Sequence, residues 1–333
     1  MCFIHVGAPK TGSTAIQHFL ADNAAALASA GACYPRAGRC SWRPGHHNLA
    51  DELRGAPGFD ARLGTLSDFC AELERKSTLR AVLSAEDLIF AHERADAFAT
   101  LREALAAIGY RTKIVLYVRA HDEYVESTYS EAVRQGMTPP FARYVDDVMQ
   151  HGGMTDPAWA FPYEFSRLAD GFASMFGRDD VIVRGYRHGE ERSWLIRDFL
   201  HAVGLDQILG ENLASWPEQD ENIRLTTGEV LRRVAASIAA NRRAPEIEVM
   251  CADLLARYHD DAEMRFVPLT PIQRERIAER FAGDAECLVR AWRVDAATFE
   301  RARPAEAPSV CRARDLFVHG ERLLHGGAHV VEA

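Results

Sequence analysis

The sequence predicts an α/β fold in which a mainly parallel, doubly wound sheet is flanked by helices and followed by a helical C-terminal region. Three observations lead to this prediction. Apolar runs alternate with amphipathic segments up to about residue 205, which is typical of strand–helix–strand units. The run at 113–118, KIVLYV, is apolar almost throughout, as buried parallel strands are. Beyond residue 205 the apolar residues recur mostly at helical spacing.

Each predicted element follows from its own pattern. Ile16, Phe19 and Leu20 place a helix over 14–29, which Gly31 ends. Ligands are expected at the carboxyl ends of the strands. Strands are predicted at 3–6, 80–84, 113–118 and 180–186, and further helices at 65–76, 95–108, 122–135, 163–176, 193–203, 226–241, 246–258 and 271–292. Loops are predicted at 34–48 and 136–162, and a polar tail at the end. We expect a core at 1–205 and a helical region at 206–333 that packs on it.

Composition limits the functions that the chain can have. The 333 residues include 39 Lys and Arg against 48 Asp and Glu, a formal net charge of -9. Because polyanions need a basic surface, this balance argues against general nucleic-acid binding, and any anion site has to be local. The seven cysteines are scattered, so neither a disulfide framework nor a zinc site is expected. Neither a signal peptide nor a run of ~20 apolar residues is found, so we expect a cytoplasmic protein.

The stretch at 3–20 has the pattern of a strand, a loop with glycine and proline, and an amphipathic helix. A loop that enters a helix N-terminus directs unpaired N–H groups at one point, where the helix dipole favours an anion. Gly7 and Gly12 permit unusual backbone angles, and Lys10 supplies a positive charge. The spacing fits a nucleotide triphosphatase P-loop, except that Ser13 stands at the lysine position. The sequence therefore predicts a phosphate site without the usual γ-phosphate clamp.

Two elements of this sequence resemble sulfotransferases that use 3′-phosphoadenosine 5′-phosphosulfate (PAPS) as donor. Residues 9–14, Pro-Lys-Thr-Gly-Ser-Thr, resemble the 5′-phosphosulfate loop of that family. Arg119 follows the strand at 113–118, and Ser127 comes eight residues later, about two helical turns along. This pair resembles the family's 3′-phosphate-binding element. The order, spacing and strand context of both elements agree with the family, and the resemblance extends over roughly residues 1–205.

The resemblance implies a P-loop-type fold and transfer of a sulfuryl group from PAPS to an acceptor hydroxyl. By analogy with bacterial members, the acceptor is expected on a carbohydrate or glycolipid. No metal is implied, because cations and N–H donors supply the electrostatics, and Lys10 is expected to stabilise the leaving oxygen. No nucleic-acid partner and no integral membrane segment are expected. The expected PAPS contacts are Lys10, Thr11, Gly12, Ser13, Thr14, Arg119, Ser127 and, at the adenine, Tyr186.

The acceptor's proton requires a base, and two kinds of side chain compete for this role. Glu86 comes directly after the 80–84 strand, where the resembling enzymes place a catalytic His or Glu. A carboxyl ordinarily has a pKa near ~4.3, which makes it a weak base unless burial raises it. His46 and His47 lie in the predicted 34–48 loop, and imidazole titrates near neutral pH. The choice among Glu86, His46 and His47 stays open at this point.

Other interpretations use some of the same residues. In a P-loop kinase or nucleotide hydrolase, Ser13 or Thr14 would hold Mg²⁺, and Asp87 is the acidic residue that favours this alternative. A third interpretation is a degenerate nucleotide-binding scaffold whose helical end recruits a partner. Aromatic residues in irregular segments are candidates for stacking on a sugar, although scattered aromatic residues are more often part of the core: Trp42, Trp159, Phe161 and Tyr163. The sequence indicates neither the acceptor nor the oligomeric state.

Overall fold

The central feature of the fold is a parallel sheet. It is seen in a computed structural model that describes residues 1–40, 44–91, 95–153, 161–187, 192–210, 225–299 and 306–325. Within these residues the sheet has the strand order β2-β3-β1-β4-β5, and every neighbouring pair is parallel. The predicted mainly parallel, doubly wound α/β fold is confirmed. The strands are β1 (Cys2–His5), β2 (Ala32–Cys33), β3 (Arg80–Ser84), β4 (Thr112–Val118) and β5 (Val181–Gly185).

Helices connect the strands and form the C-terminal part of the chain. Up to β5 they are α1 (Ser13–Asp22), α2 (Ala24–Ser29), α3 (His47–Arg54), α4 (Leu66–Lys76), α5 (Ala95–Ala107), α6 (His121–Arg134), α7 (Phe141–His151) and α8 (Phe165–Phe176). After β5 they are α9 (Arg192–Ala202), α10 (Thr227–Arg242), α11 (Glu246–Arg257), α12 (His259–Ala262), α13 (Pro271–Arg280), α14 (Ala282–Trp292) and α15 (Pro308–Leu324).

The described chain divides into two compact units, and each is assembled from separate segments. Unit 1 takes its residues from 1–119, 164–222 and 283–299, and it contains the whole sheet. Unit 2 takes its residues from 120–163, 223–282 and 300–333, and its elements are helical. The predicted division into 1–205 and 206–333 stays a prediction; in the described chain, residues 120–163 cluster with C-terminal helices, and residues 283–299 cluster with the sheet.

In unit 1, helices cover both faces of the sheet. On one face α1 and α9 pack together over Phe3, Val82 and Tyr117 in a continuous apolar core. On the other face α8 lies against β4 and β5, and Phe98 of α5 contacts Phe172 of α8 edge to face at 5.4 Å. Because both faces are buried, the strands read as apolar runs rather than as alternating patterns.

Unit 2 has an aromatic core and a buried ionic cluster. Tyr129 stacks on Phe266 at 5.9 Å, and Phe317 of α15 meets Phe266 edge to face at 4.8 Å. Arg274 of α13 forms ion pairs with Asp122 at 3.0 Å and with Glu126, both on α6. These contacts tie α13 and α15 to α6 within this unit.

Several element boundaries differ from the predictions. The predicted helix at 14–29 is two helices, since the side chain of Asn23 donates a hydrogen bond to the Phe19 carbonyl at 2.9 Å and ends α1. The predicted helix at 271–292 is likewise divided, into α13 and α14. Two helices, α7 and α15, lie in segments that were predicted to be loop or tail, and a third helix, α3, begins at His47 inside the predicted 34–48 loop. The predicted loop at 34–48 therefore ends at residue 46.

Candidate active site

Four predicted site positions lie just beyond the carboxyl ends of four strands of unit 1. The anion loop, residues 7–12, follows β1, and Glu86 comes two residues after β3. Arg119 is the residue after β4, and Tyr186 is the residue after β5. Because the strands are parallel, all four segments emerge at the same edge of the sheet. In open α/β sheets, ligands bind in the crevice at this edge.

The anion loop has a defined backbone conformation. The Ala8 N–H still donates to the Tyr117 carbonyl at 2.8 Å, so the loop leaves the sheet only after this residue. Gly7, Lys10 and Gly12 then have positive φ angles of 94°, 65° and 85°. The Thr11 hydroxyl is buried and donates to the Ala8 carbonyl at 2.6 Å. This bond closes the loop on itself, so the backbone N–H is the part of Thr11 that remains to contact a ligand.

The loop ends at the N-terminus of α1, the positive end of the helix dipole, and no acidic side chain of the first turn neutralises this end. Gly12 is the N-cap residue and offers no side-chain cap, and the first turn contains no acidic residue. Ser13 is buried, whereas Lys10 and Thr14 are partly exposed. Backbone N–H groups and dipole together favour an anion at this point.

Arg119 and Tyr186 lie beside the anion loop. The Arg119 side chain is 7% exposed, and its Nη1 donates a hydrogen bond to the Lys10 carbonyl at 3.1 Å. Its guanidinium carbon lies 5.3 Å from the centroid of the Tyr186 ring, a cation–π distance. The structure thus brings together Lys10, Gly12, Arg119 and Tyr186, which the sequence placed in three separate motifs.

Glu86 belongs to a chain of buried polar side chains that begins inside the sheet. His5 Nδ1 lies 2.8 Å from Ser84 Oγ, and burial lowers the pKa of His5 to about 3. The amide of Gln17 on α1 donates to Ser84 Oγ at 3.3 Å and to Glu86 Oε2 at 2.8 Å. Sequence reasoning missed Gln17. Its signal is a polar residue on the buried face of α1, between Ile16 and Leu20.

The two histidines of the 34–48 segment have different environments. Both ring nitrogens of His46 are used, since Nδ1 accepts from the Ser84 N–H at 3.2 Å and Nε2 lies 3.0 Å from the Pro35 carbonyl. Burial lowers the pKa of His46 to about 3, so this neutral ring has a structural role. His47 Nδ1 lies 2.6 Å from Asp87 Oδ2, and its Nε2 lies 3.9 Å from Glu86 Oε2. The geometry therefore favours His47 over His46 as a participant.

Other predicted residues lie elsewhere. Ser127 is partly buried on α6 in unit 2, so its pairing with Arg119 of unit 1 stays a prediction. Phe161 and Tyr163 are core residues, the more common role of such aromatics, because both are buried and the Tyr163 hydroxyl bonds Thr128 at 2.6 Å. Trp42 and Trp159 lie outside the described residues.

The described parts of the chain offer neither a metal-binding cluster nor a membrane-spanning helix. Among those residues, no group of three or more His, Cys, Asp or Glu side chains is placed to hold a metal ion. None of the helices within the described ranges has both the length and the apolar character that crossing a membrane requires.

Comparison with known proteins gives few matches. No protein-family model matches this sequence, and no curated protein matches it. Among solved structures, the chain is similar to the crystal structure of a sulfotransferase from Alicyclobacillus acidocaldarius. The identity is 14%, the TM-score is 0.49, and the match covers 90% of this chain and 98% of that chain.

Proposed function

We propose that this chain is a PAPS-dependent sulfotransferase that transfers a sulfuryl group to an acceptor hydroxyl. The observation that carries the proposal is the contact between its two phosphate motifs. Arg119, at the end of β4, donates to the carbonyl of Lys10 in the loop at the α1 N-terminus. The proposed donor carries phosphate at both the 3′ and the 5′ position of one ribose. Its two phosphate groups therefore need two cationic sites that lie close together.

Each part of the site has a proposed role toward the donor. The loop N–H groups of residues 11–14 and the hydroxyls of Ser13 and Thr14 bind the 5′-phosphosulfate. Lys10 stabilises the negative charge that develops on the leaving oxygen. Arg119 binds the 3′-phosphate together with Ser127, and Tyr186 contacts the adenine through the face or edge of its ring. These residues fit the donor, since the helix end offers positive charge that no acidic residue of its first turn cancels.

The reaction needs one bond formed, one bond broken and one proton moved. The acceptor oxygen attacks sulfur, and the bond from sulfur to the bridging phosphate oxygen breaks. The electron pair of that bond stays on the leaving 3′-phosphoadenosine 5′-phosphate. Glu86, at the carboxyl end of β3 and beside the anion loop, accepts the proton of the acceptor hydroxyl.

The proposed acceptor is a hydroxyl of a carbohydrate or glycolipid, and this part of the proposal depends on the resemblance to bacterial sulfotransferases. Incubation with radiolabelled PAPS and a panel of mono- and disaccharides, with a simple phenol for comparison, tests it. Transfer of label to a sugar hydroxyl supports the proposal. Transfer to the phenol alone assigns the protein to a different acceptor class.

The donor is tested first, by calorimetric titration of the metal-free protein with 3′-phosphoadenosine 5′-phosphate and, separately, with ATP plus Mg²⁺. We expect tight binding of the bisphosphate and little binding of ATP. Lys10→Ala should abolish transfer, whereas Lys76→Ala, which removes a lysine that pairs with Glu72 on α4, should not. Preference for ATP would instead make the protein a P-loop kinase or nucleotide hydrolase.

A further inference from the structure

Beside the anion loop, three side chains form a line from a carboxylate through an imidazole to a second carboxylate. Asp87 Oδ2 lies 2.6 Å from Nδ1 of His47, and Glu86 Oε2 lies 3.9 Å from Nε2 of the same ring. Asp87 and Glu86 are neighbours in the turn after β3, whereas His47 is the first residue of α3. The ring is held between them and is only 4% exposed.

This arrangement determines which nitrogen of His47 carries the proton. An ionised carboxylate only accepts hydrogen bonds, so the contact with Asp87 requires a proton on Nδ1. A neutral ring then has its lone pair on Nε2. That atom is buried and makes no hydrogen bond among the described residues. It lies 3.9 Å from Glu86 Oε2, so the two atoms have to approach to hydrogen-bond distance before a proton passes between them.

The position of Glu86 places it between His47 and the anion loop. A Cβ on Gly7 would lie 3.2 Å from Glu86 Cβ, so the carboxylate side chain starts directly beside the loop. The amide of Gln17 donates at 2.8 Å to Oε2, the Glu86 oxygen that faces His47. Glu86 therefore lies next to both the anion loop and the buried Nε2 of His47.

We infer that His47 is a positioning residue that stands behind Glu86 and takes over the acceptor's proton, and that Asp87 fixes the tautomer required for this step. The inference rests on the proposed function, in which Glu86 is the group that meets the acceptor. The proton moves from the acceptor oxygen to Glu86 and then to Nε2 of His47. The resulting imidazolium keeps its Nδ1–H bond to Asp87, and Glu86 regains its negative charge.

The relay gives the acceptor's proton a second place to go once Glu86 has taken it. Transfer to Nε2 of His47, 3.9 Å from Glu86 Oε2, restores the carboxylate for the next acceptor. The charged groups around the ring are Glu86 and Asp87 on the turn after β3 and Asp51 on α3, with neutral His46 adjacent in sequence.

The tautomer is tested on the full-length protein by nitrogen NMR of the histidine rings, with His47→Gln used to assign the signals. We expect His47 to show a protonated Nδ1 and an unprotonated Nε2. Asp87→Asn should make the Nε2–H form predominant, because the amide no longer holds the proton at Nδ1 by its charge. Asp51→Asn is the matched control and should leave the tautomer unchanged. A protonated Nε2 in the unmodified protein overturns the inference without any variant.

The relay is tested by steady-state kinetics with PAPS and the acceptor found in the labelling panel. His47→Gln and Asp87→Asn should each lower kcat by about tenfold to a hundredfold while the affinity for 3′-phosphoadenosine 5′-phosphate is unchanged. In the His47→Gln background, Asp87→Asn should cause no further loss.

Two outcomes separate the inference from the proposed function. An unmodified protein that binds no bisphosphate contradicts the proposed function, and the relay falls with it, whatever the tautomer proves to be. A protein that binds the bisphosphate and transfers sulfate, but in which His47→Gln or Asp87→Asn keeps full kcat, overturns the relay alone. Additive losses in the double variant also overturn it, since they assign Asp87 a separate structural role.

Discussion

Gly12 is the position of the anion loop with the least room for a side chain. Its φ angle is +85°, and an added Cβ would overlap Cδ2 of Leu195 and lie 3.3 Å from the Tyr186 ring. Gly12→Ala should lower the free energy of unfolding by roughly 2–4 kcal/mol, because left-handed backbone strain adds to the cost of overpacking. Urea unfolding followed by circular dichroism measures this change.

Gly31→Ala is the matched control for that experiment. Gly31 also has a positive φ, +71°, but an added Cβ there would meet nothing within 4 Å. Its loss should be about 1 kcal/mol, from the backbone conformation alone. Equal losses at the two positions would mean that the contact with Leu195 does not require glycine at residue 12.

Arg119 makes a contact that changes what its replacement should do. Arg119 Nη1 donates to the Lys10 carbonyl and so supports the anion loop. Arg119→Ala should therefore lower the affinity for both 5′-AMP and 3′-phosphoadenosine 5′-phosphate. The affinity for the bisphosphate should fall by about tenfold to a hundredfold more, because a charge-assisted hydrogen bond contributes roughly 1.5–3 kcal/mol. Calorimetry with the two ligands measures the difference. Equal losses would limit Arg119 to supporting the loop.

A single substitution at the N-terminus of α1 separates the stability of this helix from its affinity for an anion. Thr14→Asp should stabilise the helix by about 0.3–1 kcal/mol, since an acidic residue in the first turn complements the dipole. The same carboxylate should repel a phosphate and strongly weaken binding of the bisphosphate. The melting temperature from thermal unfolding should therefore rise while the affinity from calorimetry falls. Thr14→Asn is the neutral control, and unchanged binding by Thr14→Asp would exclude this helix end as the anion site.

Helices α7 and α15 have apolar residues at helical spacing, although a loop and a tail were predicted for these segments. In α7 the buried residues Phe141, Tyr144, Val145 and Val148 follow a spacing of three and four. In α15, which begins at Pro308, the buried Ala313, Leu316 and Phe317 follow the same spacing. Both patterns predict an amphipathic helix, and proline is favoured at a first helical position. The neighbouring Gly and Pro residues favoured a loop, and tertiary packing of the apolar face outweighed them.

Glu321 makes the stability of folded unit 2 depend on pH. The N–H of Phe141 and the hydroxyl of Tyr129 both donate to Glu321 Oε1 at 2.9 Å. Burial nevertheless dominates and raises the pKa of this carboxyl from 4.5 to about 7. Between these values the folded protein holds a proton that the unfolded chain has released. Stability should therefore fall as pH rises from about 4.5 to about 7.

Glu321→Gln should remove this pH dependence, because an amide oxygen accepts the same two hydrogen bonds without ionising. At pH 8 the variant should be more stable than the unmodified protein by on the order of 2–3 kcal/mol. Urea unfolding at a series of pH values measures both effects. A parallel pH dependence in the two proteins would show that Glu321 does not cause it.

Local sequence patterns are enough to predict the fold class and several residues of the proposed anion site. Apolar runs, helical spacing and the Gly-Lys-Gly loop are local patterns, and they located β1, β3, β4 and β5 as well as Lys10, Gly12, Arg119 and Tyr186. Parallel strands carry their following loops to one edge, so a residue predicted to follow a strand was also predicted to lie near the others.

Contacts between side chains that are far apart in sequence depend instead on how the elements pack. Gln17 bonds Glu86 across 69 residues of chain, and His47 bonds Asp87 across 40. Equally, two adjacent histidines differ because His46 is buried against the backbone of Ser84 while His47 faces two carboxylates. Such contacts depend on the strand order and on how α1 and α3 pack beside β3. Periodicity within one segment carries no information about them, because it reports which face of an element is buried but not what lies against that face.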